Sequence, residues 1–229
     1  MRYAGGNLLV DALPPADRDH VAGRLTVFQA EVPDCVVGHG EEYRDVLFPI
    51  DAVFSITAEL RRGEVYEVAA VGREGVIGAE LLLDAPAAPR SVMSQVGGRA
   101  ARMERAAFEA CVERSRALAR AIQRHLLRRL FLAEQLIACN LAHDLTERLA
   151  RWILMLRDEL GRDEFELRED FLGMMLALPR GSVAEATWVL QEMGAIRYAQ
   201  ESVAVLELQA LRETCCECYE AQRRYAPTA

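Results

Sequence analysis

The chain has 229 residues, of which 52% are hydrophobic and 27% are charged. These values are typical of a folded globular protein and exclude a wholly disordered chain. The net charge of −8 argues against unspecific binding to nucleic acid, which needs clustered positive charge. The apolar runs are shorter than the roughly 18–20 residues of a membrane helix. The sequence therefore predicts a cytoplasmic protein that does not contact the membrane.

The first hundred residues combine a short helical start with many extended runs. Residues 7–20 predict two short helices, and Pro14 and Pro15 open the second of them. Short runs of strand type then alternate with turns up to Met103, a pattern that favours an antiparallel sandwich or barrel. The predicted strands are Leu25–Phe28, Val46–Phe48, Ala52–Ile56, Val65–Val68 and Ser91–Val96.

The pattern from about residue 115 to residue 140 is that of one long helix. It carries two apolar stripes, so two of its faces must be buried. One face is expected to cover the strands and the other to meet the same helix of a second chain. The stripe assigned to the dimer interface is Leu118, Ile122, Leu126, Leu130, Ala133 and Ile137. The second stripe is Leu127, Phe131, Ala138 and Leu141.

The next helix has clear end signals in the sequence. Asp144 stands three residues before Glu147, which is the spacing of a capping box. Gly161 follows the last apolar position of this helix and is a suitable stop. The sequence therefore predicts a helix that begins after Asp144 and ends at Gly161.

The remaining elements form a helix, a turn, a helix and a hairpin. Residues 167–175 predict the first helix and residues 180–193 the second, with Ala177 in the turn at a position that often needs positive φ. Strands are expected over residues 196–198 and 203–206. This order is that of a winged helix-turn-helix.

The full order of parts resembles the CRP/FNR superfamily of bacterial transcription regulators. The resemblance rests on Phe48-Pro49, on residues 71–78, on residues 139–143 and on residues 147–154. It implies an α+β fold with an N-terminal antiparallel β-roll of jelly-roll type, a long dimerisation helix and a C-terminal winged helix-turn-helix. The corresponding domains are a sensor over 1–114, the dimerisation helix over 115–140 and a DNA-binding domain over 141–229.

The resemblance also implies a place for an effector. Members that bind cyclic AMP use a glycine-glutamate pair and, about ten residues later, an arginine-serine pair. Gly78, Arg90 and Ser91 match this pattern, but Ala79 stands in place of the glutamate. Glu134 falls where the long helix would contact the base, and a buried carboxylate there would disfavour a phosphate. Cyclic AMP is therefore not expected. Another anion or small molecule at Arg90, a protein or redox input, or no effector remain open.

The second helix of the motif would read DNA in such a protein. Arg180 matches the family pattern and could bind guanine through two hydrogen bonds. Ser182 and Glu185 stand in place of a threonine and a second arginine. Arg168 and Arg197 are the other candidates for contacts with phosphate or bases. So few cations predict weak binding with a shallow dependence on salt.

The sequence thus supports a homodimeric transcription regulator that binds a palindromic site in double-stranded DNA, with RNA polymerase as a further candidate partner. A second hypothesis is a degenerate member that acts through protein contacts without binding DNA alone. It is favoured by residues 141–229, which carry 10 arginines against 16 acidic residues. No catalytic triad, metal-ligand cluster or phosphate-binding glycine loop is evident. The chain is therefore not expected to be an enzyme or to hold a cofactor.

The six cysteines and His125 are the residues that could bind a metal ion or serve in the core. Cys35, Cys111 and Cys139 are scattered among apolar residues and are expected to be buried thiols. The segment Cys215-Cys216-Glu217-Cys218 could be a metal-binding or redox-active tip, but it lacks a second ligand cluster at zinc spacing. No metal site is therefore predicted. His125 on the long helix is expected to be a structural residue.

Overall fold

The computed structural model describes residues 1–178 and 183–224. It divides into two compact units. The first unit comprises Met1–Thr57 and Ala69–Leu130, and the second comprises Ala58–Val68 and the described chain from Phe131 onward. Within the described residues, no helix is both long and apolar enough to cross a bilayer.

Two antiparallel sheets form the N-terminal part of the fold. Their strands are β1 (Thr26–Ala30), β2 (Cys35–Val37), β3 (Asp45–Pro49), β4 (Val53–Glu59), β5 (Val65–Val71), β6 (Ser91–Val96) and β7 (Gly98–Glu104). One sheet has the order β1-β7-β3 and the other the order β2-β6-β4-β5. The predicted antiparallel β-roll is thereby confirmed.

Strand β7 was not predicted, because Gly97-Gly98 has the composition of a turn. Gly98 instead opens the strand, where a Cβ atom would lie only 2.6 Å from the carbonyl oxygen of Asp51. The glycine is therefore required by the close approach of two backbones rather than by a turn. The strand then pairs with β1 and β3 on its two sides.

The helices of the first unit surround the roll. They are α1 (Leu8–Asp11), α2 (Pro15–Ala22), α3 (Arg105–Arg114) and the first half of α4 (Arg116–Ala142), with a 3₁₀ turn over Ala79–Leu83. Ser115 separates α3 from α4, and its hydroxyl accepts a hydrogen bond from the backbone N–H of Leu118 at 3.0 Å. The long helix predicted over 115–140 thus starts with a side-chain cap.

His125 on α4 is buried against the roll. Its Nε2 atom lies 3.1 Å from the carbonyl oxygen of Val76 and donates to it in the neutral ring. A Cβ atom on Gly75 would lie 2.5 Å from the ring carbon Cε1, so only glycine fits beside the imidazole. The structural interpretation of His125 is therefore correct, and Gly75 is explained by the same contact.

Two ion pairs hold α4 on the roll within the first unit. Arg128 Nη1 lies 2.8 Å from Glu74 Oε1, and Arg129 Nη1 lies 2.6 Å from Glu80 Oε1. All four side chains are largely buried. A buried charge that loses its partner is strongly destabilising, so each pair fixes the position of the helix.

The second unit continues from α4 with α5 and a winged helix-turn-helix. Its further elements are α5 (Leu145–Leu160), β8 (Glu164–Glu166), α6 (Glu169–Leu176), α7 (Val183–Glu192), β9 (Ile196–Ala199), β10 (Ser202–Val205), α8 (Leu208–Thr214) and α9 (Cys218–Arg223). Asp144 and Glu147 form the predicted capping box, and Gly161 ends α5 with φ of 67°. Both helix-end predictions are confirmed because these signals act through neighbouring residues.

The wing is a sheet of three strands in the order β8-β10-β9. Strand β8 was missed in the sequence because three residues are too short to show an alternating pattern. Gln200 and Glu201 at the tip have φ of 52° and 57°. Two consecutive residues with positive φ match the twist of a tight hairpin.

Candidate nucleic-acid interface and sensor pocket

The helix-turn-helix is held by a shared apolar core. Phe171, Leu172 and Leu176 of α6 and Val183 and Leu190 of α7 are buried. The guanidinium of Arg148 on α5 donates to the carbonyl oxygen of Leu176 at 2.7 Å and satisfies the end of α6. These contacts orient α7, the helix that would enter the major groove in a protein of this architecture.

The predicted DNA contacts are only partly visible in the structure. Arg180 and Ser182 lie outside the described residues. Glu185 is exposed in the first turn of α7. Arg168 Nη2 lies 3.2 Å from Asp170 Oδ2, and Arg197 Nη2 lies 3.9 Å from Glu164 Oε1. Both arginines must exchange an acidic neighbour for phosphate if they bind DNA.

The surroundings of Arg168 are acidic. Its pKa is raised by the hydrogen bond to Asp170 and by the charge of Glu201 at the wing tip. Burial raises the pKa of Tyr198 to about 12, and the negative charges of Glu169 and Glu201 add to this effect. The local potential therefore attracts cations, which opposes the approach of a DNA backbone.

Trp188 is a surface feature that the sequence did not single out. It lies on α7 one turn after Glu185, and 59% of its surface is exposed. Glu192, one turn further along, is exposed as well. The spacing of three residues could have placed Trp188 on the face of Glu185. Tryptophan is enriched at protein–protein interfaces, and the acidic residues beside Trp188 disfavour a DNA phosphate.

Ala177 in the turn has φ of 56°, as predicted, and caps α6 in the left-handed conformation. We expect Ala177→Gly to stabilise the protein by about 1 kcal/mol, because glycine adopts this conformation without steric cost. Urea unfolding at neutral pH measures the change. Ala184→Gly, on the exposed face of α7, is the matched control and should destabilise by about 1 kcal/mol. The same sign for both variants would contradict the prediction.

The pocket at the predicted effector position is almost filled by the protein itself. The cavity lined by Gly78, Glu80, Arg90 and Arg129 has a volume of about 10 Å³. That is roughly the space of one water molecule, whereas small-molecule sites occupy about 300–1,000 Å³. A nucleotide cannot enter without displacing these side chains.

Glu80 is the residue that closes this pocket. One carboxylate oxygen pairs with Arg129 at 2.6 Å and the other accepts a hydrogen bond from the hydroxyl of Tyr43 at 3.2 Å. Burial and the negative charge of Glu80 raise the pKa of Tyr43, so the phenol remains a donor. In the sequence, Glu80 stands one position after Ala79, which occupies the place of the family's glutamate. In the structure, Glu80 neutralises Arg129 inside the pocket.

The other effector residues are less constrained. Gly78 has φ of 90°, which favours glycine, and leads into the 3₁₀ turn. Arg90 is exposed and donates to the carbonyl oxygen of Pro89 at 3.0 Å. The hydroxyl of Ser91 accepts a hydrogen bond from the backbone N–H of His39 at 3.0 Å.

Glu134 is exposed rather than buried, so the expected repulsion of a phosphate by a buried carboxylate is wrong.

The dimerisation stripe needs a correction. Leu118 and Ile122 are fully buried within their own chain and have no surface left for a partner. Leu126 and Ala133 are half-buried, whereas Leu130 and Ile137 are 57% and 64% exposed. The exposed large apolar side chains of α4 are Leu127, Leu130, Ile137 and Leu141. Their spacings of three, seven and four residues follow a heptad pattern. The exposed face thus combines Leu130 and Ile137 of the predicted dimer stripe with Leu127 and Leu141 of the second stripe.

Three cysteine sulfur atoms meet in the second unit. Cys139 near the end of α4, Cys216 and Cys218 are buried, and their Sγ atoms all lie within 4.8 Å of one another. Burial raises the pKa of Cys216 and Cys218, and the neighbouring Cys139 adds to the effect at Cys216. Sequence spacing could not reveal this cluster, since Cys139 precedes Cys216 by 77 residues. Cys35, expected to be buried, is exposed.

The sequence and the fold were compared with those of known proteins. No protein-family model matches the sequence, and no curated protein matches it. Solved structures match well. FixK2 from Bradyrhizobium japonicum has a TM-score of 0.72 at 17% identity, over 84% of this chain and 98% of that one. TTHA1359, a transcriptional regulator of the CRP/FNR family from Thermus thermophilus, has a TM-score of 0.64 at 18% identity, over 83% and 97%. The chain has the CRP/FNR-type fold.

A third solved structure is also similar to this chain. The regulator CLP from Xanthomonas campestris, described as responsive to c-di-GMP, has a TM-score of 0.67 at 14% identity. It covers 85% of this chain and 100% of its own. Identities this low establish the fold, so the function must be argued from this chain's own residues.

Proposed function

We propose that the chain is a homodimeric, DNA-binding transcription regulator that does not need a classical cyclic-nucleotide effector. The observation that carries the proposal is the winged helix-turn-helix of α6, α7 and β8-β10-β9, which follows a long helix with an exposed apolar stripe. The division into a sensor over 1–114, a dimerisation helix over 115–140 and a DNA-binding domain over 141–229 is part of the proposal. A protein that binds chromosomal DNA acts in the cytoplasm.

Dimerisation is supported by the stripe Leu127, Leu130, Ile137 and Leu141. Burying a large aliphatic side chain contributes about 1.5–3 kcal/mol. Packing this face of α4 against the same face of a second copy would bury these side chains in both chains and stabilise the dimer. In the dimer the two α7 helices would lie about 34 Å apart, which is the spacing of successive major grooves on one side of DNA. The expected target is therefore a site with two-fold symmetry.

Effector independence is supported by the closed pocket. Glu80 supplies a negative charge to Arg129, a role that the phosphate of a nucleotide could otherwise fill. Separating Glu80 from Arg129 would leave one buried charge without its partner, which costs about 3–5 kcal/mol. The contacts that a nucleotide makes in the pocket must offset this free energy for the nucleotide to bind. We therefore expect DNA binding without added ligand.

The test is selection of duplexes from a random pool by the purified protein, without ligand, at moderate ionic strength. The expected result is an enriched palindrome whose half-sites lie about one helical turn apart. Arg180→Ala should then lose about 1–3 kcal/mol on this site and less on unrelated DNA, if Arg180 reads a base. Arg212→Ala, at an exposed position of α8, is the control and should bind normally.

Recovery of no duplex, with or without cyclic nucleotides, would contradict autonomous DNA binding. Enrichment only in the presence of a cyclic nucleotide would contradict effector independence and leave the DNA-binding role intact. An equal loss for Arg180→Ala on all sequences would assign Arg180 to phosphate.

The second candidate function is a protein-interaction module, favoured by the exposed Trp188 between Glu185 and Glu192. RNA polymerase is the partner to test first. Trp152 is buried, so the change in indole emission that the wild type shows on addition of polymerase and Trp188→Phe does not show would report on Trp188. A change with polymerase but not with selected DNA would favour this function, and the loss of that change in Trp188→Phe would assign it.

A further inference from the structure

We propose that Cys139, Cys216 and Cys218 form a binding site for a thiophilic metal ion of the zinc and cadmium class, held by three thiolates. The three residues are free cysteines from two distant segments, which the fold of the second unit brings together in its interior. This site is independent of the proposed DNA-binding function.

The distances fit coordination. Cys139 Sγ and Cys216 Sγ lie 3.6 Å apart, and all three sulfur atoms lie within 4.8 Å of one another. Thiolates about 2.3 Å from a tetrahedral zinc ion lie about 3.8 Å from each other. Small side-chain rotations would therefore place all three sulfur atoms around one ion. Soft sulfur ligands select ions of this class over magnesium or calcium.

The surroundings fit the charge of such a complex. Three thiolates and a divalent ion carry one net negative charge, and the three S–H protons leave to water on binding. Arg148 interacts electrostatically with both Cys139 and Cys216. A buried anion beside Arg148 would offset the charge of its guanidinium.

A polar neighbour also supports a ligand role for Cys218. The side-chain amide of Gln135 on α4 donates to Cys218 Sγ at 3.1 Å. Such donors orient sulfur ligands and stabilise their charge in metal sites. The ion would join the end of α4 to Cys216 and to Cys218 at the start of α9, all within the second unit.

The test uses the full chain, reduced and freed of metal by chelation. Titration with Cd²⁺ should give an ultraviolet sulfur-to-cadmium charge-transfer band that saturates at one ion per chain, and Zn²⁺ should compete. Cys139→Ser, Cys216→Ser and Cys218→Ser should each lose the band at one equivalent. Cys215→Ser is the matched control, because the Cys215 thiol donates to the carbonyl oxygen of Arg212 and lies outside the cluster. It should keep the band.

If the serine variants do not fold, native mass spectrometry of the unaltered protein after Zn²⁺ addition decides the question. One retained zinc ion per chain is the expected result. The proposal is overturned if the wild type gives no band and retains no metal. It is also overturned if Cys215→Ser loses the band as the three ligand variants do, or if air-purified protein is two hydrogens lighter through a disulfide and binds no ion after reduction.

Discussion

Leu130→Glu is expected to convert the proposed dimer into a monomer. Leu130 is 57% exposed in the single chain, so the substitution leaves the interior of the protomer intact. In a dimer built on α4 the substitution would place two carboxylates in an apolar interface. Burying like charges without partners strongly destabilises such an interface. Light scattering should give the mass of a single 25.5 kDa chain instead of twice that value.

Leu206→Glu is the matched control, since Leu206 is 53% exposed but does not lie on α4. It should keep the mass of the dimer. Loss of the dimer should also remove most binding to a palindrome, because a single copy reaches only one half-site. An unchanged mass for Leu130→Glu would exclude this face of α4 as the interface. Ile122→Glu is not a useful test, because Ile122 belongs to the core of its own chain.

The second large effect concerns pH. Burial and the charges of Arg129 and Arg128 lower the pKa of His125 from its usual 6.5 to about 3. Between these values the unfolded chain binds a proton that the folded chain does not, so stability falls as the pH decreases. From pH 7 to pH 5 this histidine should reduce the free energy of unfolding by about 2 kcal/mol.

Urea unfolding of the wild type at pH 7 and pH 5 measures this loss. His125→Gln keeps an N–H donor for Val76 but cannot titrate, and it should lose about 2 kcal/mol less over the same range. If that variant does not fold, the NMR titration of the His125 ring in the wild type answers the same question. A ring that becomes protonated near pH 6 in the folded protein would contradict the prediction.

Local signals in the sequence were sufficient for several elements. Asp144, Glu147 and Gly161 act on backbone groups within a few residues, so their roles follow from spacing alone. The positive φ of Ala177 is likewise set by the tight turn that follows α6. The order of strands, long helix and winged helix-turn-helix was also sufficient for the fold, because each part has its own apolar period.

The candidate sites depended on contacts that no local pattern encodes. The two stripes of α4 have similar composition, so only the packed roll decided that Leu118 and Ile122 face inward and Leu127 faces outward. Glu80 lies one position from the expected glutamate, yet its partners Arg129 and Tyr43 come from distant segments.

The sequence by itself determined the class of fold, the helix ends and the motif that would read DNA, since these follow from periodicity and from neighbours along the chain. Tertiary structure decided which face of the long helix is free, why the effector pocket is closed and how three cysteines meet. Cys139 and Cys216 lie 77 positions apart, and their sulfur atoms lie 3.6 Å apart only because α4 and the C-terminal segment pack together. Such proximity is a property of the folded core, where burial brings distant side chains into contact.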